Sequence, residues 1–322
     1  MVAGKRTIRV ATRGSELALW QAHFVESALL SRHSDLDVEV QVVATTGDRV
    51  QDVPLAQIGD RGLFTKEVDD ALLDGRADIA VHSLKDVPTS VAAGLAISAI
   101  TKRADSRDVL LCRDGSVTRL ADLEAGARIG TSSLRRRAQL LARRPDLNVC
   151  DLRGNLNTRL RKLDDGDYDA ILLAAAGVLR LGWEDRITEF LDPPDWLPAV
   201  GQGALAILAR SGDDAVDDLV APLGDRQTAL CVTAERSFLR SLEGGCQVPI
   251  AGLALEHDGM LQLEGLVADL DGRTVLRDRI AGPTDAAVEL GRDLADRLVK
   301  RGADDVLAEV RASGAVLNIP AP

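Results

Sequence analysis

The sequence has little aromatic material: its 322 residues include four Phe, three Trp and one Tyr. Proteins that hold single-stranded nucleic acid stack bases on aromatic rings, so that class is disfavoured. Cations are in the minority too. Lys and Arg number 39 against 50 Asp and Glu, a net charge of −11, and such a field steers the chain toward neither nucleic acid nor an anionic membrane. Long apolar runs are missing. The longest, Ala170 to Leu179, is about half of what a bilayer requires. Lys5 and Arg6 come early but no apolar h-region follows them, so no secretory signal is expected. The four cysteines, Cys112, Cys150, Cys231 and Cys246, form no CxxC pair and have no histidine at zinc-ligand spacing beside them. A disulfide framework is therefore disfavoured, no metal is expected, and a reduced cytoplasmic setting is the default. None of the four histidines falls in a metal pattern, and all four read as structural or surface groups.

What is present is an ordinary globular balance, 46% hydrophobic and 28% charged, in a chain long enough for two or three domains. Ile8 to Thr12 alternates as a strand. Ser15 then stands as the N-cap of a helix with Leu17, Trp20, Phe24 and Ala28 on one face. Asp37 to Thr45 is a second strand, Lys66 to Leu73 a helix that stops at Gly75, and Ala77 to His82 a third strand. The alternation predicts an α/β lobe with a mostly parallel sheet. A second lobe starts near residue 105, with a strand ending at Gly130, hydroxyl caps at Thr131 to Ser133, a helix from Leu134 to about Ala142, and a buried strand over Tyr168 to Ala176. The two lobes rhyme: VATRGSELA near residue 12 matches IGTSSLRRRA near residue 131, and LLDGRADIAVHS matches LDDGDYDAILLA. This predicts two lobes of like topology facing each other across a cleft, with helix N-termini pointed at it.

After the Pro-rich stretch Asp192 to Pro198, the apolar run Ala204 to Leu208 reads as a return crossing between lobes. A helix is expected around Gln227 to Leu242. Beyond it, alternating residues with turn signals at Asp258-Gly259 and Asp271-Gly272 predict antiparallel hairpins. Glu289 to Val299 is the expected last helix. The expected division is residues 1–104 and 199–222 for lobe 1, 105–198 for lobe 2, and 223–322 for a small α+β domain.

Charge is distributed unevenly. Between Arg128 and Lys162 lie nine Arg and one Lys, opposed only by Asp146 and Asp151. An Arg-rich stretch is most often a solvated helix face. Here it opens at a helix N-terminus and uses planar guanidinium groups, which bind carboxylates bidentately; Arg153 sits beside Gly154, where backbone can approach a ligand. The segment therefore reads as a binder of a poly-anion, with Arg143 and Arg144 left to the surface. Val81 to Pro88 closes the third strand and places Asp86 as a candidate acid/base or as a stabiliser of positive charge. Alternation would put Ser83 and Lys85 on one side of the strand and His82, Leu84 and Asp86 on the other. Cys246, in Gly244-Gly245-Cys246-Gln247-Val248-Pro249, is a loop cysteine and a candidate nucleophile or attachment site.

The run Glu235 to Ile250 resembles the cofactor-attachment signature of the porphobilinogen deaminase (hydroxymethylbilane synthase) family. Ala11 to Ala18, Thr46-Gly47-Asp48, Gly62 to Glu67, His82 to Asp86, Gly130 to Arg136, Arg153-Gly154-Asn155 and Gly201-Gln202-Gly203 stand in the family's order. The resemblance implies two lobes like those of periplasmic binding proteins and a third domain. It implies a dipyrromethane cofactor joined by a thioether to Cys246, and the head-to-tail condensation of four porphobilinogen molecules, with loss of ammonia, to hydroxymethylbilane. By matching position, Asp86 is implied as the catalytic carboxylate. Ser83, Lys85, Asp86, Thr131, Ser133, Arg135, Arg136 and Arg153 are implied to hold the cofactor. Arg13, Ser15, Gln21, Phe64, Arg153, Arg159 and Arg180 are implied to hold the substrate. Residues 47–62 are expected to form a mobile lid, and the enzyme is expected to be a cytoplasmic monomer. Two other readings stay open at this point, a non-enzymatic anion-binding clamshell and a cysteine-dependent enzyme of another type.

Overall fold

The computed structural model describes residues 6–45, 65–243 and 248–313. The expected lid over 47–62, Phe64 and Cys246 lie outside the described residues. The chain separates into two compact units, one built from residues up to 45, 65–104 and 204–229, the other from 105–203 and 230–313.

In the first unit, β1 (Arg6–Thr12), β2 (Leu36–Val42), β3 (Ile79–Ser83), β4 (Leu95–Ile100) and β10 (Leu205–Arg210) form one sheet in the order β2-β1-β3-β10-β4. β1 runs parallel to β2 and β3, while β10 is antiparallel to both β3 and β4. Four of the five strands therefore run the same way, as a mostly parallel sheet requires, and β10 alone opposes them, which makes the sheet mixed. The Ala204–Leu208 run is no mere crossing; it supplies a strand buried on both faces, which is why it reads as unbroken apolar sequence. Ile8, Val10, Ile79, Val81, Ile207 and Ala209 share one core with helix α1 (Glu16–Leu30).

Ser15 caps α1, its Oγ accepting from the Ala18 N–H at 3.3 Å. The buried face of α1 is not the expected one. Gln21, Ala22, Val25 and Leu29 face inward, while Trp20 and Phe24 stack on each other outside, 5.6 Å between centroids. The helix carries two apolar stripes, and the slimmer side chains are the ones packed on the sheet. Helix α2 (Lys66–Leu73) ends at Asp74 and Gly75, the latter at φ 70°, as the glycine stop predicts.

In the second unit, β5 (Asp108–Cys112), β6 (Arg128–Gly130), β7 (Asn148–Cys150), β8 (Ala170–Ala174) and β9 (Glu189–Leu191) form a sheet in the order β7-β6-β8-β5-β9. β6 is parallel to β7 and β8, and β5 is antiparallel to β8 and β9. This repeats the first sheet strand for strand, so the sequence rhyme is a topological repeat. Ser133 caps helix α3 (Leu134–Arg143) from the same turn that Ser15 occupies in the first unit. Helix α4 (Leu156–Asp164) closes at Asp165-Gly166 as α2 closes at Asp74-Gly75. The expected strand over Tyr168–Ala176 is shorter, because from Ala175 the chain turns into helix α5 (Ala175–Arg180), its small residues allowing either conformation.

The repeat extends to one polar contact. Asp78, entering β3, accepts the Arg9 backbone N–H at 2.9 Å and the Arg9 guanidinium at 3.0 and 2.7 Å. Asp169, entering β8, accepts the Arg128 backbone N–H at 2.8 Å, with the Arg128 Nε at 3.6 Å. Each pair joins the two central parallel strands of its sheet.

Helix α6 (Asp214–Val220) occupies the acidic segment, capped by Asp213. Helix α7 (Arg226–Ser241) leads to a three-stranded antiparallel sheet of β11 (Ile250–His257), β12 (Met260–Ala268) and β13 (Val275–Pro283). Asp258 and Gly259 both take positive φ in the two-residue hairpin between β11 and β12, as that turn type demands. Helix α8 (Ala287–Val299) packs Leu290, Leu294 and Leu298 onto Phe238 and Leu263. It is not the last helix. α9 (Ala303–Ala312) follows a break at Gly302, φ 95°, and buries Leu307 in the same core. No helix among the described residues is long and apolar enough to cross a membrane.

Candidate active site

In the first unit, β3 ends at Ser83 and the next three residues, Leu84–Asp86, form one 3₁₀ turn. Strand alternation therefore stops before Lys85, and the turn sets the direction of the charged pair. Leu84, 1% exposed, pins the turn to the core. Asp86 is exposed and Lys85 half-buried. Five of the expected residues, Arg13, Ser15, Gln21, Ser83 and Asp86, line one cavity of about 60 Å³ at this strand end, room for roughly four waters or the charged arm of a ligand. Gln21 is buried and donates from Nε2 to Ser83 Oγ at 2.9 Å, which fixes both side chains. Lys85 does not line this cavity. His82 does, and the sequence reading had assigned it no such place. Its membership in the motif ending β3 was the available signal.

The Arg-rich segment of the second unit divides on inspection. Arg135 and Arg136 are each 5% exposed and both close on Asp108, which is fully buried. Arg135 reaches the carboxylate at 2.6 Å and Arg136 at 2.8 Å. Trp196 Nε1 and Gln202 Nε2 donate to the same carboxylate at 2.7 and 2.9 Å. Burial alone would push the Asp108 carboxyl up, but the two guanidinium groups hold it well below the usual range. Arg135 is itself lowered, burial outweighing Asp108. The remaining donors of the pair go to the Leu197 and Leu172 carbonyls. Asp108, Trp196 and Gln202 were missed as site residues. An Asp opening an apolar strand, Asp108-Val109-Leu110-Leu111, was the clue.

Among the described residues, two cations against one anion leave this buried cluster with a surplus of one positive charge. It also sits at a helix start with no acidic residue in its first turn, where the helix dipole disfavours cations. Thr131, 2% exposed, accepts the Ser133 N–H at 3.2 Å, and Ser133 caps the helix. Arg153 is half-buried, and burial lowers its pKa. The next residue, Gly154, takes φ 109° and a Cβ there would meet Thr158 at 2.6 Å, so the loop needs glycine. Arg159 donates to the Gly154 carbonyl at 2.8 Å. Arg180 donates to the Gly203 carbonyl at 2.8 Å, and burial brings its pKa down to about 10.

The other arginines of the segment are structural. Arg144 pairs with Asp146 and gathers the Leu120 and Leu123 carbonyls, Arg137 holds Asp271 and the Leu270 carbonyl, and Arg143 lies over the Trp196 ring. Cys112, Cys150 and Cys231 are free thiols, the last two buried, as their apolar settings predict. Among the described residues no His, Cys, Asp and Glu cluster could hold a metal ion.

Comparison with known proteins places this geometry. Residues 8–218 match the family model "Porphobilinogen deaminase, dipyromethane cofactor binding domain", and residues 229–300 match its C-terminal domain. A porphobilinogen deaminase of Syntrophobacter fumaroxidans is 52% identical over 305 residues, covering 95% of this chain and 98% of the relative. One from Pelobacter propionicus is 50% identical over 305 residues, 95% and 97%. One from Nitratidesulfovibrio vulgaris is 51% identical over 314 residues, 96% and 98%.

Proposed function

This chain belongs to the porphobilinogen deaminase family, and from that premise we propose that Asp86 carries its chemistry. The activity is that of a porphobilinogen deaminase, a transferase of tetrapyrrole biosynthesis with a dipyrromethane cofactor. The observation that supports the assignment is the meeting of Asp86 with Arg13 and Ser15 on one small cavity at the carboxyl end of β3. Each porphobilinogen brings two carboxylates and an aminomethyl group. Arg13 and Ser15 hold an acid arm, which orients the ring and replaces chance encounter by a fixed approach. As ammonia departs, the pyrrole becomes electron-poor, and the Asp86 carboxylate stabilises the positive charge through the pyrrole N–H. The same carboxylate takes part in the proton transfers that complete each condensation. Four such condensations, each losing one ammonia, followed by a hydrolysis in which water breaks the bond to the primer and supplies the hydroxyl, would release hydroxymethylbilane.

The residues present suit a poly-anionic cofactor. The unbalanced charge of the Asp108, Arg135 and Arg136 cluster calls for an anion, and Thr131, Ser133 and Arg153 lie close to it in sequence. Arg135, Arg136, Thr131, Ser133 and Arg153, with Ser83, Lys85 and Asp86, would hold the dipyrromethane, and Arg159, Arg180, Gln21 and Phe64 would serve the substrate. The bound cofactor supplies a tethered pyrrole carbon as the nucleophile, anchored through the Cys246 sulfur. Residues 1–104 and 199–222, 105–198 and 223–322 are proposed as its three domains, acting in the cytoplasm as a monomer. Intact-protein mass spectrometry tests the reading. The purified protein should exceed its sequence mass by two pyrrole units, and Cys246→Ser should show the sequence mass and no turnover. An unmodified mass in fully active protein would end the proposal.

A further inference from the structure

His82 stands on the middle strand of the first sheet, opposite Ala206 of β10. It is 6% exposed, and its Nε2 has no hydrogen-bond partner among the described residues. Buried polar atoms in native proteins are nearly always paired, so an orphan of this kind asks for a reason. The equivalent position in the second sheet supplies a control. Ser83 pairs with Leu205 as Ala174 pairs with Asp108, so His82 corresponds to Leu173, a buried leucine. The fold itself therefore accepts an apolar side chain at this position. The residue that carries the orphan, His82, is one of those lining the cavity with Arg13, Ser15 and Asp86.

Burial, and then the Arg13 charge, bring the His82 pKa down to about 4, so the ring is neutral near pH 7. A neutral imidazole offers one donor and one acceptor. With a guanidinium near enough to influence it, the arrangement that adds no second charge is a donor beside a donor, a seat for one carboxylate.

We propose that His82 donates from Nε2 to the carboxylate arm that Arg13 holds, making it a positioning residue for the acidic pyrrole substrate. This rests on the porphobilinogen deaminase reading of the same site. Arg13 supplies charge and His82 supplies direction, distinguishing an acid arm from an uncharged one. The protonated aminomethyl group, a donor only, gains nothing from a second donor and is left to Asp86.

The test uses the full-length, cofactor-bearing protein and a pyrrole with acetate and propionate arms but no aminomethyl group, which binds without reacting. Calorimetry should show its affinity falling about tenfold in His82→Phe, as loss of one charge-assisted hydrogen bond requires. His82→Gln, which keeps a donor near the Nε2 position, should bind within about twofold of the parent. With porphobilinogen, His82→Phe should raise KM with kcat little changed. For the analogue with its acid arms esterified, parent and His82→Phe should bind alike. Equal affinity of all three proteins for the free acid overturns the proposal, and so does equal loss in Gln and Phe, which marks a packing role. Either result leaves the parental turnover of porphobilinogen, and with it the underlying reading, untouched. Absence of that turnover would instead remove the reading itself.

Discussion

The two five-stranded sheets share strand order and direction, yet they put opposite chemistry at equivalent places. After β3 the chain continues Leu84-Lys85-Asp86, a polar turn ending on a carboxylate. After β8 it continues Ala175-Ala176-Gly177 and runs straight into helix α5. Where the first sheet buries Leu205 on its antiparallel strand, the second buries Asp108 beneath two guanidinium groups. Helix α1 opens with Ser15 and Glu16, whereas α3 opens with Ser133, Leu134 and three arginines. The difference teaches that the repeat is a scaffold. It fixes strand ends and helix caps in both units, while single residues at those ends decide which unit carries the exposed Asp86 carboxylate and which carries the buried pair of arginines.

The largest stability effect should come from making the second sheet resemble the first. Asp108→Leu removes the one anion facing two buried guanidinium groups and should cost about 3–5 kcal/mol, the penalty for breaking a buried ion cluster. Adding Arg135→Leu and Arg136→Leu to that change should recover most of the loss in urea unfolding. A cost under about 1 kcal/mol for Asp108→Leu alone would mean that the cluster is not what it looks like. The pH dependence has a definite sign. The Asp108 carboxyl is held below its unfolded value near 3.9, so its contribution is complete above about pH 4 and is lost as pH falls toward the depressed folded value. Asp108→Leu should flatten that acid limb.

A smaller contrast separates the two entry aspartates. Asp78 is 13% exposed and accepts three hydrogen bonds from Arg9, with Arg210 at 3.6 Å. Burial pushes its carboxyl up, but those bonds win and lower it. Asp169 is 32% exposed and its contact to the Arg128 side chain is longer. Asp78→Asn should cost about 1.5–3 kcal/mol and Asp169→Asn less than about 1 kcal/mol, both read from denaturant midpoints. Equal costs would show that the repeat is energetic as well as topological.

Much of this was legible before any coordinates. The caps at Ser15 and Ser133, the glycine stop at Gly75 and the Asp258-Gly259 hairpin are local rules with local consequences, and each stands where the sequence puts it. The antiparallel strand at Leu205–Arg210 was not legible, because strand direction is decided by a chain segment one hundred residues away and leaves no mark on a buried apolar run. The buried face of α1 was misread because Trp20 and Phe24 weigh heavily in any apolar pattern while Val25 and Leu29 fit the sheet better. Ala175 and Ala176, the first turn of helix α5, read as the end of a strand because alanine suits both states. In the site, the residue types near Asp86 and the arginine surplus were plain, but Asp108 could not be paired with Arg135 and Arg136 by spacing alone. That pairing crosses from one strand to a helix through the tertiary fold.

The central claim is that the carboxylate at the end of β3 does chemistry rather than support the structure. Steady-state turnover of porphobilinogen by Asp86→Asn, measured on protein whose mass shows the cofactor in place and whose unfolding midpoint matches the parent, tests it most directly. The account predicts a fall in kcat of about 10²- to 10³-fold; parental kcat in that protein would contradict it.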